Sequence, residues 1–463
     1  MYHWLVPRLV FPAAELLGGR RVRSELSRLR EIQWLPAPRV EALAVDRLRS
    51  LVAHATAHVP YYRDLFGRAG VGAGDIRSGS DLSRFPITTK TDLRSAFPVA
   101  STADDLPAQR RRPMVTSGSS GRPLEFYWDR SAADELLGSY LFSLEWAGAA
   151  IWQTRLVVAS PAYFYTNSVP SSRWRRRLRR VALGEHSVSL AANQVSVAGL
   201  REIVARLRGR REYFIRGYPS ALADLAGELV RTPEPLPSYP RAVIAFAENV
   251  TPPNAAIIRE AFRCRVTNYY TSWEVPQMAQ TCPDNPDLLH VNSRRVVLRI
   301  VRADGTDAKP GEPGRVVVTD LANRVMPFIN YLVDDHAVGG AACPCGRGLP
   351  TLAAVDGRSL ERITTPRGDR VSGGMLGQFL VSVVGVLPYA LEYQAEQTGP
   401  GAVTLRIVPT ERYTLEFGRS LLGQVETFLG PDMSVALDVV SRIPVERSGK
   451  RLIIRPLEPG HRE

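Results

Sequence analysis

A run of glycines and hydroxyl-bearing residues has the composition of a phosphate-binding loop. Gly118 and Gly121 let the backbone bend so that several N–H groups face one anion, while the hydroxyls add donors and Arg122 adds charge. A triphosphate suits this arrangement, whereas a merely flexible loop is the simpler alternative. The spacing and the lysine of a Walker loop are missing. The run reads Thr116, Ser117, Gly118, Ser119, Ser120, Gly121, Arg122 and Pro123.

The cysteines suggest a second kind of chemistry. Cys343 and Cys345 form a short thiolate pair, and Cys282 and His290 lie upstream of it. Three thiolates and one imidazole are an accepted ligand set for structural zinc, although CxC is tighter than the usual CxxC. The alternative is a set of reduced, unligated cysteines in a cytoplasmic protein. Cys264 lies outside this set and is expected in the core.

The segments that must position these residues alternate between helix and strand. A helical period over 47–65 stops at Pro60, and residues 124–128, directly after the glycine-rich run, alternate as in a strand. Further segments alternate as far as residue 262, and the chain becomes strand-rich from 292 to 331. This pattern predicts an α/β fold of layered sheets and helices.

A domain boundary is predicted near residue 357. The residues beyond it have their own helix and strand pattern, enough for a small α+β domain. We therefore expect a large N-terminal domain, 1–357, and a small C-terminal domain, 358–463.

Composition narrows the class of protein. The chain has 463 residues, 44% hydrophobic and 23% charged, with a net charge of +13. Arginines cluster at 110–112 and 173–180 with a single aromatic, Trp174, among them, which disfavours nucleic-acid binding. They form either a solvated face or a field that steers anionic substrates such as ATP. No apolar run is long enough for an integral membrane segment, and no signal-peptide cleavage site follows the N-terminus. We expect a cytoplasmic enzyme, and a homodimer is compatible with the sequence.

Several segments, in order over nearly the whole chain, resemble one family. The run at 116–123 resembles the phosphate-binding signature of the adenylate-forming superfamily, which includes acyl-CoA synthetases and nonribosomal peptide synthetase adenylation domains. HVPYYRDLF and SDLSRFPITTKTDLR are similar to the phenylacetate–CoA ligase branch and its capsular-polysaccharide relatives. The other matching segments are IRGYPS at 215–220, AFAE at 245–248, NYYTSWE at 268–274, 327–335, Gly357-Arg358 and PVERSGK at 444–450.

The resemblance implies roles for individual residues. Tyr270 would stack on adenine, and Glu274 would ligate Mg²⁺. Asp335 would accept hydrogen bonds from the ribose hydroxyls. Relatives also have a cysteine, a histidine and a CxCGR-like element at corresponding places, which supports zinc.

Three further implied roles complete the nucleotide site. Arg358 would hold the ribose or a phosphate, and Glu248 belongs with the nucleotide-binding residues. Lys450 would reach the carboxylate and the α-phosphate and stabilise the charge that develops during adenylation. The resemblance thus implies that the large domain, 1–357, binds ATP and the acid, and that the small domain, 358–463, is a mobile lid that carries this catalytic lysine. Each of these residues has a plain structural alternative as a surface charge or tail base.

The sequence departs from the family pattern at three places. Thr271 replaces the glycine of the YGxTE motif, with Trp273 beside the acid. Asp334 replaces the glycine before the ribose aspartate, and Asn330 replaces the arginine that opens that segment. These changes concern ribose and phosphate geometry and leave the reaction class in place.

The implied reaction is activation of a carboxylic acid by ATP to an acyl-AMP, with transfer to an acceptor. The resemblance points to coenzyme A, while an amine, a hydroxyl or a carrier-protein thiol stays open. Alternatives are AMP transfer to a coenzyme hydroxyl and a non-catalytic nucleotide-binding scaffold. An aryl acid would suit an apolar pocket, which core packing explains equally well. The candidate lining residues are Tyr163, Phe164, Tyr165, Tyr218 and Pro219.

Overall fold

The computed structural model divides into two units. It describes residues 8–9, 11–115, 124–159, 187–191, 196–207, 212–248, 250–356, 362–367, 370–372, 376, 379–386, 388–444, 452 and 454–457. The first unit comprises the described parts of Met1–Trp152 and Thr267–Val355. The second comprises those of Gln153–Arg177, Glu185–Val266 and Asp356–Glu463. None of the described helices is both long and apolar enough to cross a bilayer.

The first unit combines N-terminal helices with an antiparallel sheet. Its helices are α1 Phe11–Gly18, α2 Val22–Ile32, α3 Ala37–His58, α4 Pro60–Ala69, α5 Lys90–Ala96 and α6 Ala133–Ala147. Its strands are β1 Arg111–Val115, β2 Glu125–Asp129, β7 Arg265–Tyr270, β8 Ala279–Thr281, β9 Leu289–Val291, β10 Val296–Val301, β11 Pro313–Asp320, β12 Tyr331–Gly339 and β13 Thr351–Asp356. Strand β7 begins in the second unit, and the last residue of β13 belongs to the second unit. The strands of its large sheet follow the order β10-β11-β12-β13-β9-β8-β7.

The second unit contains a parallel sheet and a smaller mixed sheet. Its helices are α7 Val197–Leu207, α8 Pro219–Arg231, α9 Pro252–Phe262 and α10 Leu415–Leu429, with a π-helical turn at Leu380–Val384. Its strands are β3 Thr154–Ala159, β4 Ser187–Ala191, β5 Tyr213–Gly217, β6 Ala242–Phe246, β14 Arg362–Thr364, β15 Arg370–Ser372, β16 Ala390–Gly399, β17 Ala402–Pro409, β18 Ser434–Val439 and β19 Ile454–Arg455. Strands β6-β5-β3-β4 are parallel neighbours, and β18-β17-β16-β19 form the smaller sheet.

Local chemistry explains where the site-bearing helices begin and end. Helix α3 ends at His58, Val59 is extended, and Pro60 starts α4, as expected for a proline that fits only the first helical turn. Helix α5 begins with a capping box: Thr89 Oγ1 accepts from Asp92 N, and the Asp92 carboxylate accepts from Thr89 N at 2.8 Å. The start of α5, and with it Lys90, is therefore fixed by local hydrogen bonds.

The predicted glycine-rich loop joins two paired strands. Strands β1 and β2 are antiparallel, and Val115 lies opposite Glu125, so the strand residues on either side of this segment are paired. Phe126 on β2 is buried in a core formed with β7, β10 and β11. The alternation predicted for residues 124–128 is confirmed by this inward-facing residue.

The C-terminal hundred residues have a core of their own within the second unit. Strands β16 and β17 pair antiparallel, and β17 and β18 pair parallel. Helix α10, capped by Thr414, packs Leu421 and Val425 against Leu405. The α+β pattern predicted there is confirmed, as is the α/β fold class. The chain enters the second unit for the last time at Asp356, and the division into 1–357 and 358–463 stays a prediction.

Candidate active site and metal centre

Two of the predicted nucleotide-binding residues lie side by side in the first unit. Tyr270 is the last residue of β7, Asp335 lies on β12, and the Tyr270 hydroxyl donates a 2.8 Å hydrogen bond to Asp335 Oδ2. Burial, and then the charge of Asp335, raise the pKa of Tyr270 well above its ordinary value, so the phenol is neutral and donates. The contact fixes the Asp335 carboxylate against the end of β7.

The predicted magnesium ligand lies beside a lysine that sequence reasoning missed. Lys90 Nζ is 3.9 Å from Glu274 Oε1, and the Tyr331 hydroxyl donates to the same oxygen at 3.4 Å. The Glu274 side chain is 13% exposed, so its charge is only partly solvated. SDLSRFPITTKTDLR contained the available signal, because its capping box places Lys90 at the first position of α5. The contact between Lys90 and Glu274, which are far apart in the chain, could not be predicted from the sequence.

The loop between Tyr270 and Glu274 is held by its own side chains. Thr271 Oγ1 accepts from Gln277 N at 3.2 Å, and Ser272 Oγ accepts from Val275 N at 3.0 Å. Thr271 is not among the described non-glycine residues with positive φ, so the position where the family has glycine needs no left-handed backbone here. The hydroxyl of Thr271 instead closes the loop.

Strand β2 also contacts this loop. Trp128 Nε1 donates a 3.1 Å hydrogen bond to the backbone oxygen of Trp273. Residues that follow the glycine-rich run are thereby linked to the segment that carries Glu274. The bulky Trp273, which departs from the family pattern, leaves its backbone carbonyl available for this bond.

Asn330, where the family pattern has arginine, has a buried side chain that holds neighbouring segments together through hydrogen bonds. It is fully buried with φ of 48°, a conformation that asparagine tolerates better than most residues. Its Nδ2 donates to Phe85 O at 2.8 Å, and its Oδ1 accepts from Arg299 Nη1 at 2.9 Å. A longer side chain would not fit these contacts, and the start of the strand that carries Asp335 is fixed by them.

The predicted residue Glu248 lies in the second unit. It follows β6, and the preceding Ala247 has φ of 68°, a strained backbone conformation for alanine. Such strain concentrates at functional sites. Nearby on the same sheet, Arg216 lies over the Phe246 ring at 4.7 Å, and the ring of Tyr218 is 5.6 Å from that of Phe246. Tyr218 is thus a buried aromatic, and Pro219 begins α8.

Several predicted site residues lie outside the described residues. They are Thr116, Ser117, Gly118, Ser119, Ser120, Gly121, Arg122, Tyr163, Phe164, Tyr165, Arg358 and Lys450.

The four predicted zinc ligands converge in the first unit. One ligand atom from each of Cys282, His290, Cys343 and Cys345 lies within 4.8 Å of the others. The Sγ atoms of Cys282 and Cys343 are 3.8 Å apart, and Cys345 Sγ is 3.3 Å from His290 Nε2. These separations are close to those between the ligands of one tetrahedral ion. Cys264 is not in the cluster, and burial raises the pKa of its thiol to about 12.

The surroundings orient the imidazole of this cluster. His290 Nδ1 lies 3.2 Å from Leu349 O, so this nitrogen carries the hydrogen and Nε2 faces the thiols with its lone pair. Burial lowers the pKa of His290, which keeps the ring neutral. Trp146 packs edge-on to the ring at 5.6 Å. A neutral, correctly oriented imidazole is the form that binds a metal ion.

The thiols respond to two opposing influences. Burial raises the pKa of Cys282 to about 11. Burial would also raise the pKa of Cys345, but hydrogen bonds with Arg347, Cys343 and Cys282 together outweigh it and lower that pKa. Arg347 itself is held over Trp34 at 4.4 Å and donates to Gln33 Oε1 at 2.9 Å. Soft thiol ligands, a fixed histidine and a nearby cation fit a zinc ion.

Comparisons with known proteins agree with the fold and the motifs. No family model matches the chain. A curated phenylacetate–coenzyme A ligase of Thermus thermophilus is 27% identical over 443 residues, covering 93% of this chain and 95% of that protein. The phenylacetate–coenzyme A ligase of Escherichia coli is 26% identical over 371 residues, covering 79% of this chain and 78% of that protein. These similarities support the predicted resemblance to the phenylacetate–CoA ligase-like branch of the adenylate-forming superfamily.

Solved structures of CoA ligases have the same fold as this chain. A 2-hydroxyisobutyryl-CoA ligase in the postadenylation state, in complex with R3-HIB-AMP, has a TM-score of 0.72 at 17% identity and covers 93% of this chain and 92% of its own. A benzoate CoA ligase from Burkholderia xenovorans has a TM-score of 0.52 at 14% identity and covers 76% of this chain and 69% of its own. The fold and the class, an AMP-forming ligase, are those predicted from the motifs.

Proposed function

We propose that this enzyme activates a carboxylic acid with MgATP and transfers the acyl group to coenzyme A. In the first step the carboxylate attacks the α-phosphate, giving acyl-AMP and pyrophosphate. In the second step the thiolate of coenzyme A attacks the acyl carbon, giving a thioester and releasing AMP. The observation that carries this proposal is the similarity to curated phenylacetate–coenzyme A ligases over 93% of the chain.

The arrangement around Glu274 supports the ATP-dependent step. A partly buried carboxylate is a suitable ligand for Mg²⁺, which prefers oxygen ligands together with phosphate oxygens. The ammonium of Lys90, 3.9 Å away, offers a cation to phosphate oxygens beside that metal. Charges of both signs in one partly dehydrated place suit the stabilisation of a phosphoryl group under attack.

The pair Tyr270 and Asp335 supports binding of the nucleoside. The carboxylate of Asp335 is a hydrogen-bond acceptor suited to the two ribose hydroxyls, and the hydroxyl of Tyr270 fixes its orientation. The ring of Tyr270 offers an aromatic face for adenine. The proposed roles of the glycine-rich loop, Glu248, Arg358 and Lys450 rest on the family motif alone.

We further infer one structural Zn²⁺ on Cys282, His290, Cys343 and Cys345. The fit rests on the convergence of four suitable ligand atoms and on the histidine orientation. The ion would join the start of β9 to the segment between β12 and β13. It would serve the fold of the first unit and take no part in the reaction. A cytoplasmic location and a homodimer stay predictions of the sequence.

A pyrophosphate-exchange screen tests the proposed function and the acid class together. Purified enzyme receives MgATP, labelled pyrophosphate and one member of a panel of aryl and short-chain acids. Exchange that depends on an acid supports acyl adenylation, and the best acid is then tested for thioester formation with coenzyme A. Exchange without thioester would move the proposal to another acceptor. AMP appearing on a hydroxylated coenzyme, or no exchange with any acid, would overturn it.

A further inference from the structure

A second group of metal-binding side chains lies at the end of α3, apart from the cysteine cluster. His54 and His58 are one helical turn apart, which places them on the same face of the helix. Their ring centroids are 5.2 Å apart. One ligand atom from each, together with a carboxylate oxygen of Asp105, lies within 4.8 Å of the others.

The tautomer of His54 is set by a backbone carbonyl. His54 Nε2 lies 3.0 Å from Arg324 O, and because a carbonyl only accepts, Nε2 carries the hydrogen. In the neutral ring Nδ1 then presents a lone pair, and it lies 3.9 Å from Asp105 Oδ2. The His54 side chain is only 9% exposed, and two acceptors that face each other there need a hydrogen donor or a cation between them, which a metal ion would supply.

His58 faces the same carboxylate oxygen. Its Nε2 is 3.8 Å from Asp105 Oδ2, and its Nδ1 is 3.4 Å from Asp104 Oδ1. A hydrogen on Nδ1 directed to Asp104 leaves the lone pair of Nε2 directed at Asp105. A carboxylate behind the distal nitrogen is the usual outer partner of a metal-bound histidine.

The backbone around these side chains is already fastened. Asp104 N donates to His58 O at 2.9 Å, and Ala103 N donates to Val325 O at 2.8 Å. Arg63 Nη2 lies 3.5 Å from Asp104 Oδ2 and offsets its charge. Metal binding would therefore order few additional groups, so little conformational entropy opposes it.

We propose that His54 Nδ1, His58 Nε2 and Asp105 Oδ2 form a second metal site for a divalent first-row transition ion such as Zn²⁺, with water completing the coordination. With zinc–ligand bonds of about 2.0–2.2 Å, tetrahedral ligand atoms lie about 3.4 Å apart. The observed separations of 3.8 and 3.9 Å need a contraction of only about half an ångström. The half-exposed His58 and Asp105 have room to supply it.

Two imidazoles and one carboxylate define the expected behaviour of the site. Without thiolate, and open to solvent, it should exchange its ion while the buried cysteine cluster keeps its own. A bound ion would clamp the loop that leads into β1 to the end of α3. The proposal depends on neither the acid nor the acceptor of the reaction.

Metal titration of the full chain tests the proposal. Protein containing the zinc that it retains after purification is titrated with Co²⁺ and, separately, with Zn²⁺ in a calorimeter. We expect the calorimeter to detect the binding of one further equivalent of Co²⁺. The visible absorption spectrum of this sample should show weak d–d bands without thiolate charge-transfer absorption. Zinc beyond the retained amount should also raise the thermal midpoint, because a ligand of the folded state stabilises it.

Variants make the assignment specific. Asp105→Asn and His58→Gln should each weaken the further equivalent at least tenfold, whereas Asp46→Asn, on the exposed face of the same helix, should leave it unchanged. His54 is not replaced first because it is nearly buried. No further equivalent in the wild type, thiolate bands from the added cobalt, or unchanged binding in Asp105→Asn would overturn the proposal and leave the group as proton-linked ion pairs.

Discussion

The cysteine cluster and the Tyr270–Glu274 loop lie in the same unit but are built differently. The cluster combines three thiols and one neutral imidazole, and its orienting contacts come from Leu349, Trp146 and Arg347. The loop places the carboxylate of Glu274 beside Lys90, both largely buried but with some exposure to solvent, and its hydrogen bonds are mostly internal.

This difference separates a permanent ligand from a transient one. A buried set of soft ligands stabilises the folded state for as long as it holds its ion. Partly exposed charges of both signs are hydrated again when a nucleotide departs, so they can bind and release it repeatedly. Removing a ligand from the cluster should therefore affect stability, and removing a charge from the loop should affect activity.

The largest expected effect is on stability, from removal of the cluster. A Cys343→Ser/Cys345→Ser variant should lose its zinc and unfold at a much lower temperature, since zinc binding supplies about 10–16 kcal/mol in small zinc domains. Elemental analysis and thermal unfolding measure the two results. Cys264→Ser, outside the cluster, should keep its zinc. Wild-type protein without zinc, or a double variant that retains it, would show that the cluster does not hold a permanent zinc ion.

The next largest effect is on one half-reaction, from Lys450. Lys450→Ala should reduce pyrophosphate exchange by about 10²–10³ if Lys450 has its proposed role as a donor to the charge that develops during adenylation. Acyl transfer from supplied acyl-AMP should stay near wild type, since that charge is absent from the second step. If both half-reactions fell together, a lid that serves only one of them would be the wrong description.

Glu274→Gln should weaken the binding of magnesium without changing the stability of the fold. Loss of even an outer partner of a metal site costs about 10- to 100-fold in affinity or activity, so at least a tenfold rise in the Mg²⁺ needed for exchange is expected. The matched control is Glu31→Gln, an exposed glutamate on α2. A lowered thermal midpoint with normal magnesium dependence would place Glu274 with the structural residues and break the contrast between the two regions.

Tyr270→Phe tests the hydrogen bond that orients Asp335. A hydrogen bond to a charged group contributes about 1.5–3 kcal/mol, so the apparent KM for ATP should rise roughly tenfold or more while the adenine platform is kept. Tyr331→Phe is the matched change, because its 3.4 Å contact to Glu274 is longer and should matter less. Equal effects of the two variants would mean that Asp335 is not positioned by Tyr270.

The smallest effect is expected at an exposed ion pair outside both regions. Arg302 contacts both oxygens of Glu312, and its hydrogen bonds lower the pKa of Glu312 to about 2. Because the folded pKa lies below the unfolded value, the pair stabilises the fold above pH 4.5, and this contribution is lost as the pH falls through about 2. Glu312→Gln should lower the thermal midpoint slightly at pH 7, and the difference from wild type should disappear in acid. A difference that persists at pH 2 would show another cause.

The sequence by itself determined most helices and strands and the composition of the cysteine site. The break at Pro60, the capping box at Thr89 and Asp92, and the alternation in β2 follow from local dihedral limits, capping and side-chain period, which need no distant partner. Ligand types alone made Cys282, His290, Cys343 and Cys345 a zinc candidate, because few residue types bind soft metals.

Only the tertiary structure decided which distant residues meet. The approach of Lys90 to Glu274, the bond from Tyr270 to Asp335, and the histidines facing Asp105 each join segments far apart in the chain. Such pairings depend on strand register and on how helices pack, and a shift of one residue turns a side chain to the other face of a sheet. Asn330 illustrates the same limit: its departure from the family pattern is explained by a buried left-handed turn that its spacing in the sequence does not reveal.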